Sequence, residues 1–173
     1  FHVQHIKEII KISKGFCYKC SKLLINKNNH KHILEYPASK RWQYINSLKH
    51  TSRCGEATDD GCGCLQPSKI RLDGFATIKA TIQYQSEEDG VSEIETELTP
   101  ESILRQFKRI SDEDISFIGL SPIWSRPEWM VCQVLPVPPP AVRPSVKHDA
   151  QQRSEDDLTH IYSSIIKNNT DLA

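Results

Sequence analysis

The sequence predicts an α+β fold, and three patterns predict it: cysteines spaced for a metal, two alternating strand segments, and a proline-rich arm ahead of a helix. Five of the six cysteines fall between Cys17 and Cys64, and CxxC and CG steps of this kind staple a small module where a large core is missing. Phe75 to Tyr84 and Val91 to Leu98 alternate apolar and polar residues, the mark of an antiparallel hairpin with one solvated face. Pro136, Pro138, Pro139, Pro140 and Pro144 each set φ and remove a backbone donor, so that segment is extended and stiff. The expected architecture is therefore a small metal-stapled module with an antiparallel hairpin, flanking helices and a proline-rich extended arm.

Each element has its own local cause. Val3, Ile6, Ile9 and Ile10 share one face of a helix from His2 to about Ser13, with Gly15 as its stop. Cys17 and Cys20 then form one knuckle, and Cys54 supplies a third thiolate. Spacing alone leaves Cys62 and Cys64 open as the fourth ligand. The insert between Cys20 and Cys54 shows no strong apolar period, so a metal closing that loop would replace a core. With four thiolates available no coordination position is left open, and the metal reads as a structural zinc. His30, His32 and His50 in the insert read as surface histidines. Pro67 and Asp73-Gly74 mark turns, and Glu87 to Gly90 is the hairpin turn. Thr99 caps a helix with Pro100 at its first position and Ile103, Leu104, Phe107 and Ile110 as its buried stripe. Ser111 caps a second helix that ends at Gly119. Trp124 and Trp129 read as packing anchors. Trp129 to Leu135 reads as a short buried strand, and Ser154 as the cap of a last helix that buries Leu158, Ile161, Ile165 and Ile166.

Net charge is zero, with 22 basic and 22 acidic residues, but the charge is unevenly placed. Phe1 to Arg53 carries 11 basic and 2 acidic residues, and Cys54 to Ser125 carries 6 and 14. A basic first third suits nucleic acid as well as it suits a plain solvated face. No apolar run reaches the roughly 18 residues of a membrane span, so an intracellular chain with no membrane partner is expected. The start at Phe1 suggests a piece of a longer chain. The acidic runs Asp112-Glu113-Asp114 and Glu155-Asp156-Asp157 each open a helix, where the dipole favours negative charge, so capping accounts for them and no catalytic residue is assigned.

The stretches RPEWM, VLPVPPPAVRPSV and RSEDDLTH, together with LTPE and FKRISDEDISFIGL, closely resemble the largest subunit of multisubunit DNA-directed RNA polymerases of the polymerase II, archaeal and giant-virus kind. The resemblance implies a zinc-binding clamp segment over 1–66 and a clamp core with hairpin and helices over 67–125. Over 126–173 it implies a dock strand, the proline arm, a lid loop and the following helix. It places the last zinc ligand at Cys62 in GCGCLQP, giving Cys17, Cys20, Cys54 and Cys62, with Cys64 as a departure from the family pattern.

Near the lid, Arg143, Lys147, His148 and Arg153 are expected to face nucleic acid or an initiation factor, with phosphate contact as the expected mode. For Arg126 and Arg143, beside prolines, an internal ion pair or carbonyl contact competes with that role. The family's triple-aspartate loop is not in this sequence, so Mg²⁺ would serve the full enzyme, a nucleotidyltransferase, without being bound by this segment. The implied partners are the other polymerase subunits, above all the second-largest, the DNA template and RNA transcript, and an initiation factor bearing a zinc ribbon. The implied location is the nucleus for a cellular eukaryotic chain, and a virion or viral factory for a viral one. The alternative is a stand-alone zinc-stabilised module that binds nucleic acid or protein.

Overall fold

The computed structural model describes residues 1–58, 60–86, 90–147 and 153–172. Two compact units divide the chain, Phe1–Cys132 and Gln133–Ala173.

In the first unit, helix α1 (Ile6–Gly15) buries Ile6, Ile9 and Ile12, spaced three apart on one face. Val3 lies in a preceding 3₁₀ turn, Val3–His5, and is exposed. The insert after the first knuckle is better packed than its sequence suggests. Leu23, Leu24, Ile25, Ile33 and Ile45 are all buried, the last on a second helix, α2 (Ala38–Ser47), preceded by the 3₁₀ segment Lys27–Glu35. A metal therefore does not stand in for a missing core here, because each fully buried aliphatic side chain already contributes about 1.5–3 kcal/mol.

The sheet has three strands, not two. The hairpin is β2 (Thr77–Ser86) with β3 (Gly90–Leu98), and β1 (Lys69–Asp73) adds antiparallel to β2, pairing Ile70 with Ala80 and Leu72 with Ile78. Gly74, at φ +63°, makes the turn between β1 and β2. Ile70, Ile78, Ala80 and Ile82 form the buried face, while β3 stays exposed along most of its length. The turn expected at Glu87 to Gly90 lies largely outside the described residues.

Helix α3 (Pro100–Lys108) begins where the cap predicts, the Thr99 hydroxyl accepting from Ser102 N at 3.2 Å. Ser111 caps α4 (Asp112–Phe117) in the same way, accepting from Asp114 N at 3.1 Å. Their buried faces join α1, the insert and the sheet in one core containing Ile9, Ile12, Phe16, Ile33, Ile45, Ile78, Ile103, Phe107 and Ile118.

Two expectations for the end of this unit are corrected. Pro127–Met130 is a 3₁₀ turn and residues 131–135 form no strand, so the short buried strand expected from Trp129 to Leu135 as the dock strand does not form. Only Val131 is buried there, Val134 being 84% exposed, and a strand without a neighbour to pair with has nothing to fix it. Trp124 is 83% exposed and Trp129 57%, so neither is a core anchor.

The second unit holds the proline arm, a two-stranded pair of β4 (Val146–Lys147) and β5 (Arg153–Ser154), and helix α5 (Asp157–Leu172). The cap of α5 is Asp156, whose carboxylate accepts from Leu158 N at 3.1 Å, because Ser154 is taken up in strand pairing with Val146. None of the stripe expected to be buried on α5 is buried: Leu158, Ile161 and Ile166 are exposed. Among the described residues, no helix is long and apolar enough to cross a membrane.

Candidate metal centre and the braced arm

Two turns bring the cysteines together. In the first, α1 ends at Gly15 and the chain doubles back, Phe16 pairing with Leu23. Cys17 N donates to Lys22 O at 2.8 Å and Ser21 N to Cys17 O at 2.9 Å, with Ser21 at φ +63°. In the second, Arg53 pairs with Leu65, Cys54 N donates to Cys64 O and Gly63 N to Cys54 O, both at 2.9 Å. Gly55 and Gly61 let the two arms of this turn touch, since a Cβ on Gly61 would lie 2.1 Å from Gly55 Cα.

The outcome is four sulfurs, those of Cys17, Cys20, Cys54 and Cys62, all within 4.8 Å of one another. Cys17 and Cys62 are 3.6 Å apart and Cys20 and Cys54 3.5 Å. These separations exclude a disulfide, which needs about 2.05 Å. They approach the roughly 3.8 Å edge of a tetrahedron whose centre lies about 2.3 Å from each sulfur. Cys64, the other candidate for the fourth place, turns away and meets Tyr18 Oη at 3.1 Å.

The electrostatics of the cluster suit a cation. Burial pushes the Cys17 thiol up, and burial together with the neighbouring sulfurs takes Cys54 to about 12. Cys62 goes the other way, to about 7: burial opposes its ionisation, but the Cys64 amide and the surrounding thiols favour it more strongly. Backbone amides of Lys19 and Cys20 point at Cys17 Sγ, and that of Cys62 at Cys54 Sγ. Amides aimed at sulfur stabilise thiolates, which is the form a divalent metal takes. Zinc therefore fits the donor set, as a closed four-sulfur site with no place for substrate.

Gln66 completes this surround and was not singled out from sequence. It is buried, and its Nε2 donates to Cys17 Sγ at 3.3 Å and to Cys64 O at 2.8 Å. Gln106 on α3 donates to Phe16 O and Cys17 O at 3.2 and 3.3 Å, tying the first knuckle to the helix. No spacing rule marks either glutamine, because each acts through a tertiary contact.

In the second unit, α5 braces the arm. Tyr162 Oη donates to Pro136 O at 3.2 Å. Arg143 Nε donates to Pro138 O at 3.0 Å and Nη1 to Thr159 Oγ1 at 3.1 Å, with its guanidinium carbon 6.0 Å from the Tyr162 ring centroid. The Pro136 carbonyl thus finds its donor on α5, and the Pro138 carbonyl finds one on Arg143, which is itself tied to α5 through Thr159. Lys147 and Arg153 face each other in the β4–β5 register, and the expected contact residue His148 lies outside the described residues.

Comparison with known proteins places this architecture. The family model described as "RNA polymerase Rpb1, domain 1" matches residues 1–173. The chain belongs to that family. It is also 34% identical, over 182 residues, to the DNA-directed RNA polymerase II subunit RPB1 of Euplotoides octocarinatus, an alignment covering 99% of this chain and 38% of the relative. The chain thus spans well under half the length of the curated relative it matches.

In this Rpb1 domain 1 chain the acidic runs serve as structure. Asp112 pairs with Arg126, and Glu113 and Asp114 pair with Lys27 at 2.7 and 2.8 Å. Arg126 also pairs with Glu128 and donates to Ile110 O at 3.4 Å, the internal role that its place beside Pro127 suggested.

Proposed function

We propose that this chain works within a DNA-directed RNA polymerase as a positioning part of the largest subunit, with no catalytic residue of its own. Zinc held by Cys17, Cys20, Cys54 and Cys62 fixes the clamp segment. The proline arm sets where a lid loop stands beside template and transcript. The partners are the other polymerase subunits, especially the second-largest, the nucleic acids, and an initiation factor with a zinc ribbon that lies on the dock surface. Mg²⁺ serves the full enzyme elsewhere. In a eukaryotic cell the assembly is nuclear, as the polymerase II relative suggests, and for a viral chain it is the virion or viral factory.

The family match over residues 1–173 is the observation that carries this reading, and the braced arm agrees with it. Pairing of Val146–Lys147 with Arg153–Ser154, a stiff arm before it and a capped helix after it are features suited to holding a lid at a fixed place. Lys147, His148 and Arg153 then offer phosphate contacts without reading bases, while Arg143 acts chiefly as the strut that holds the arm. The test is to replace Lys147 and Arg153 by Ala in the assembled polymerase. Transcript separation from template falls while nucleotide addition on a preformed scaffold is little changed, and equal loss of both overturns the lid role.

A further inference from the structure

Strand β3 (Gly90–Leu98) ends the sheet, with β2 as its paired neighbour. Residues 91–97 are all exposed, and among the described residues no hydrogen bond reaches their N–H or C=O groups from outside the sheet. At a rise of about 3.3 Å per residue this open edge is roughly 23 Å long, a ready template for another strand. Folded proteins usually shield such an edge with a proline, a bulge, a lysine or a covering element. β3 has no proline and no lysine, and its register with β2 runs one to one from Gly90 to Leu98 without a bulge.

The two rows of side chains on β3 set what can pair there. On one face Glu93, Glu95 and Glu97 follow one another at every second position. Among the described residues only Glu95 has an ion pair, with Arg71 at 2.6 Å, while Glu93 accepts from Gln83 Nε2 at 2.7 Å. Three carboxylates in a row, with no basic residue on their own strand, repel an acidic neighbour and favour a basic one. On the other face, the one that carries Ile82, Ile94 is 53% exposed and Tyr84 is exposed as well, so an added strand would bury apolar surface there. β1 already shows the sequence that fits this surface: Lys69 and Arg71 alternate with Ile70 and Leu72, and Arg71 is the residue that reaches across β2 to Glu95. A second copy of β3 does not fit, because two such strands side by side set glutamate against glutamate.

We propose that β3 is a docking edge at which another protein adds a strand that alternates basic and apolar residues. Its lysines or arginines lie beside Glu93, Glu95 and Glu97, and its apolar residues beside Ile94. Main-chain hydrogen bonds supply the affinity, and the glutamate row supplies the choice of partner. The edge shares no residue with the metal centre or with the proline arm, so this is a role beyond the positioning one.

The experiment titrates the ¹⁵N-labelled, zinc-loaded chain with a capped peptide, as long as 91–97, that alternates lysine and valine. Saturable amide shifts are expected at 91–97. A peptide with glutamate in place of lysine gives none, and neither does the lysine peptide N-methylated at every residue, which keeps its charge and loses its strand donors. Glu93→Lys combined with Glu97→Lys changes only exposed side chains, weakens the lysine peptide by about tenfold and admits the glutamate peptide. Equal shifts with the N-methylated peptide would reduce the edge to a charge attraction and overturn the proposal without any variant being made. Binding that the charge reversal leaves unchanged would overturn it too, as would a lysine peptide that fails to saturate. Shifts at 91–97 that grow with chain concentration in the absence of peptide would make a second copy the occupant and overturn it likewise.

Discussion

Gly119 and Arg126 are small positions on which much of the first unit turns. Gly119 ends α4 at φ +90°, and an added Cβ would lie 2.4 Å from the carbonyl oxygen of Ala38. Gly119→Ala combines a left-handed backbone with a backbone clash, so it should cost at least about 2 kcal/mol, read as a fall of roughly 5 °C in the unfolding midpoint. Arg126 holds Asp112, Glu128 and Ile110 O together. Arg126→Ala leaves the mostly buried Glu128 carboxylate without its cation, and its Oε2 already lacks a partner. A loss of about 2 kcal/mol in urea unfolding is expected. Glu128→Gln in the same chain should restore part of it, and failure to do so would mean the arginine acts through packing alone. His50 adds a pH dependence. Burial, then the charge of Lys14, holds its folded pKa below the ordinary 6.5. The unfolded chain therefore binds more protons than the folded one below about pH 6.5, and stability falls as pH drops through that window. A His50→Asn variant should show a flatter stability profile between pH 7 and pH 5.5.

At the scale of elements, the two knuckles and α3 are neighbours that depend on different forces. Cys17 and Cys54 are buried in the four-sulfur cluster, whereas Ile103 and Phe107 on α3 pack into the isoleucine core. Removing zinc with a chelator should expose the amides of 17–23 and 54–66 to hydrogen exchange while α3 and the β1–β2 pair keep their protection. Simultaneous loss in α3 would show that the bonds from Gln106 to Phe16 and Cys17 couple the two. This division also marks what was legible in the sequence. Caps at Thr99 and Ser111, the strand alternation and the first cysteine knuckle are local signals, carried within a few residues. Strand β1 and helix α2 were not, because KIRLD and ASKRWQYINS owe their form to the neighbours they pack on, Ile70 against Ala80 and Ile45 in the common core. The stripe on α5 misled for the converse reason: the pattern is helical, but the arm beside it leaves Leu158, Ile161 and Ile166 exposed and Ile165 only half-buried. At the metal centre the four-sulfur grouping could be read only by adding a family resemblance to the spacing, and Gln66 could not be read at all.

The whole molecule consists of units with unequal means of support. Phe1–Cys132 contains the isoleucine core, the sheet and all four clustered cysteines, while Gln133–Ala173 has a helix with no buried residue and an arm held by a few donors from Arg143 and Tyr162. Isolated helices of this length are marginal in water unless an apolar face is packed. Residues 1–132 made alone should therefore bind one zinc and unfold cooperatively, and residues 133–173 made alone should be only weakly helical. Circular dichroism of the two pieces with a zinc titration of the first decides it. A weakly helical second piece would mean that the arm and α5 become firm only against a further surface, and the exposed Leu158, Ile161 and Ile166 are the side chains such a surface would cover. If the second piece is instead fully helical and melts cooperatively, the Arg143 and Tyr162 contacts are sufficient by themselves, and Arg143→Ala should then abolish that transition.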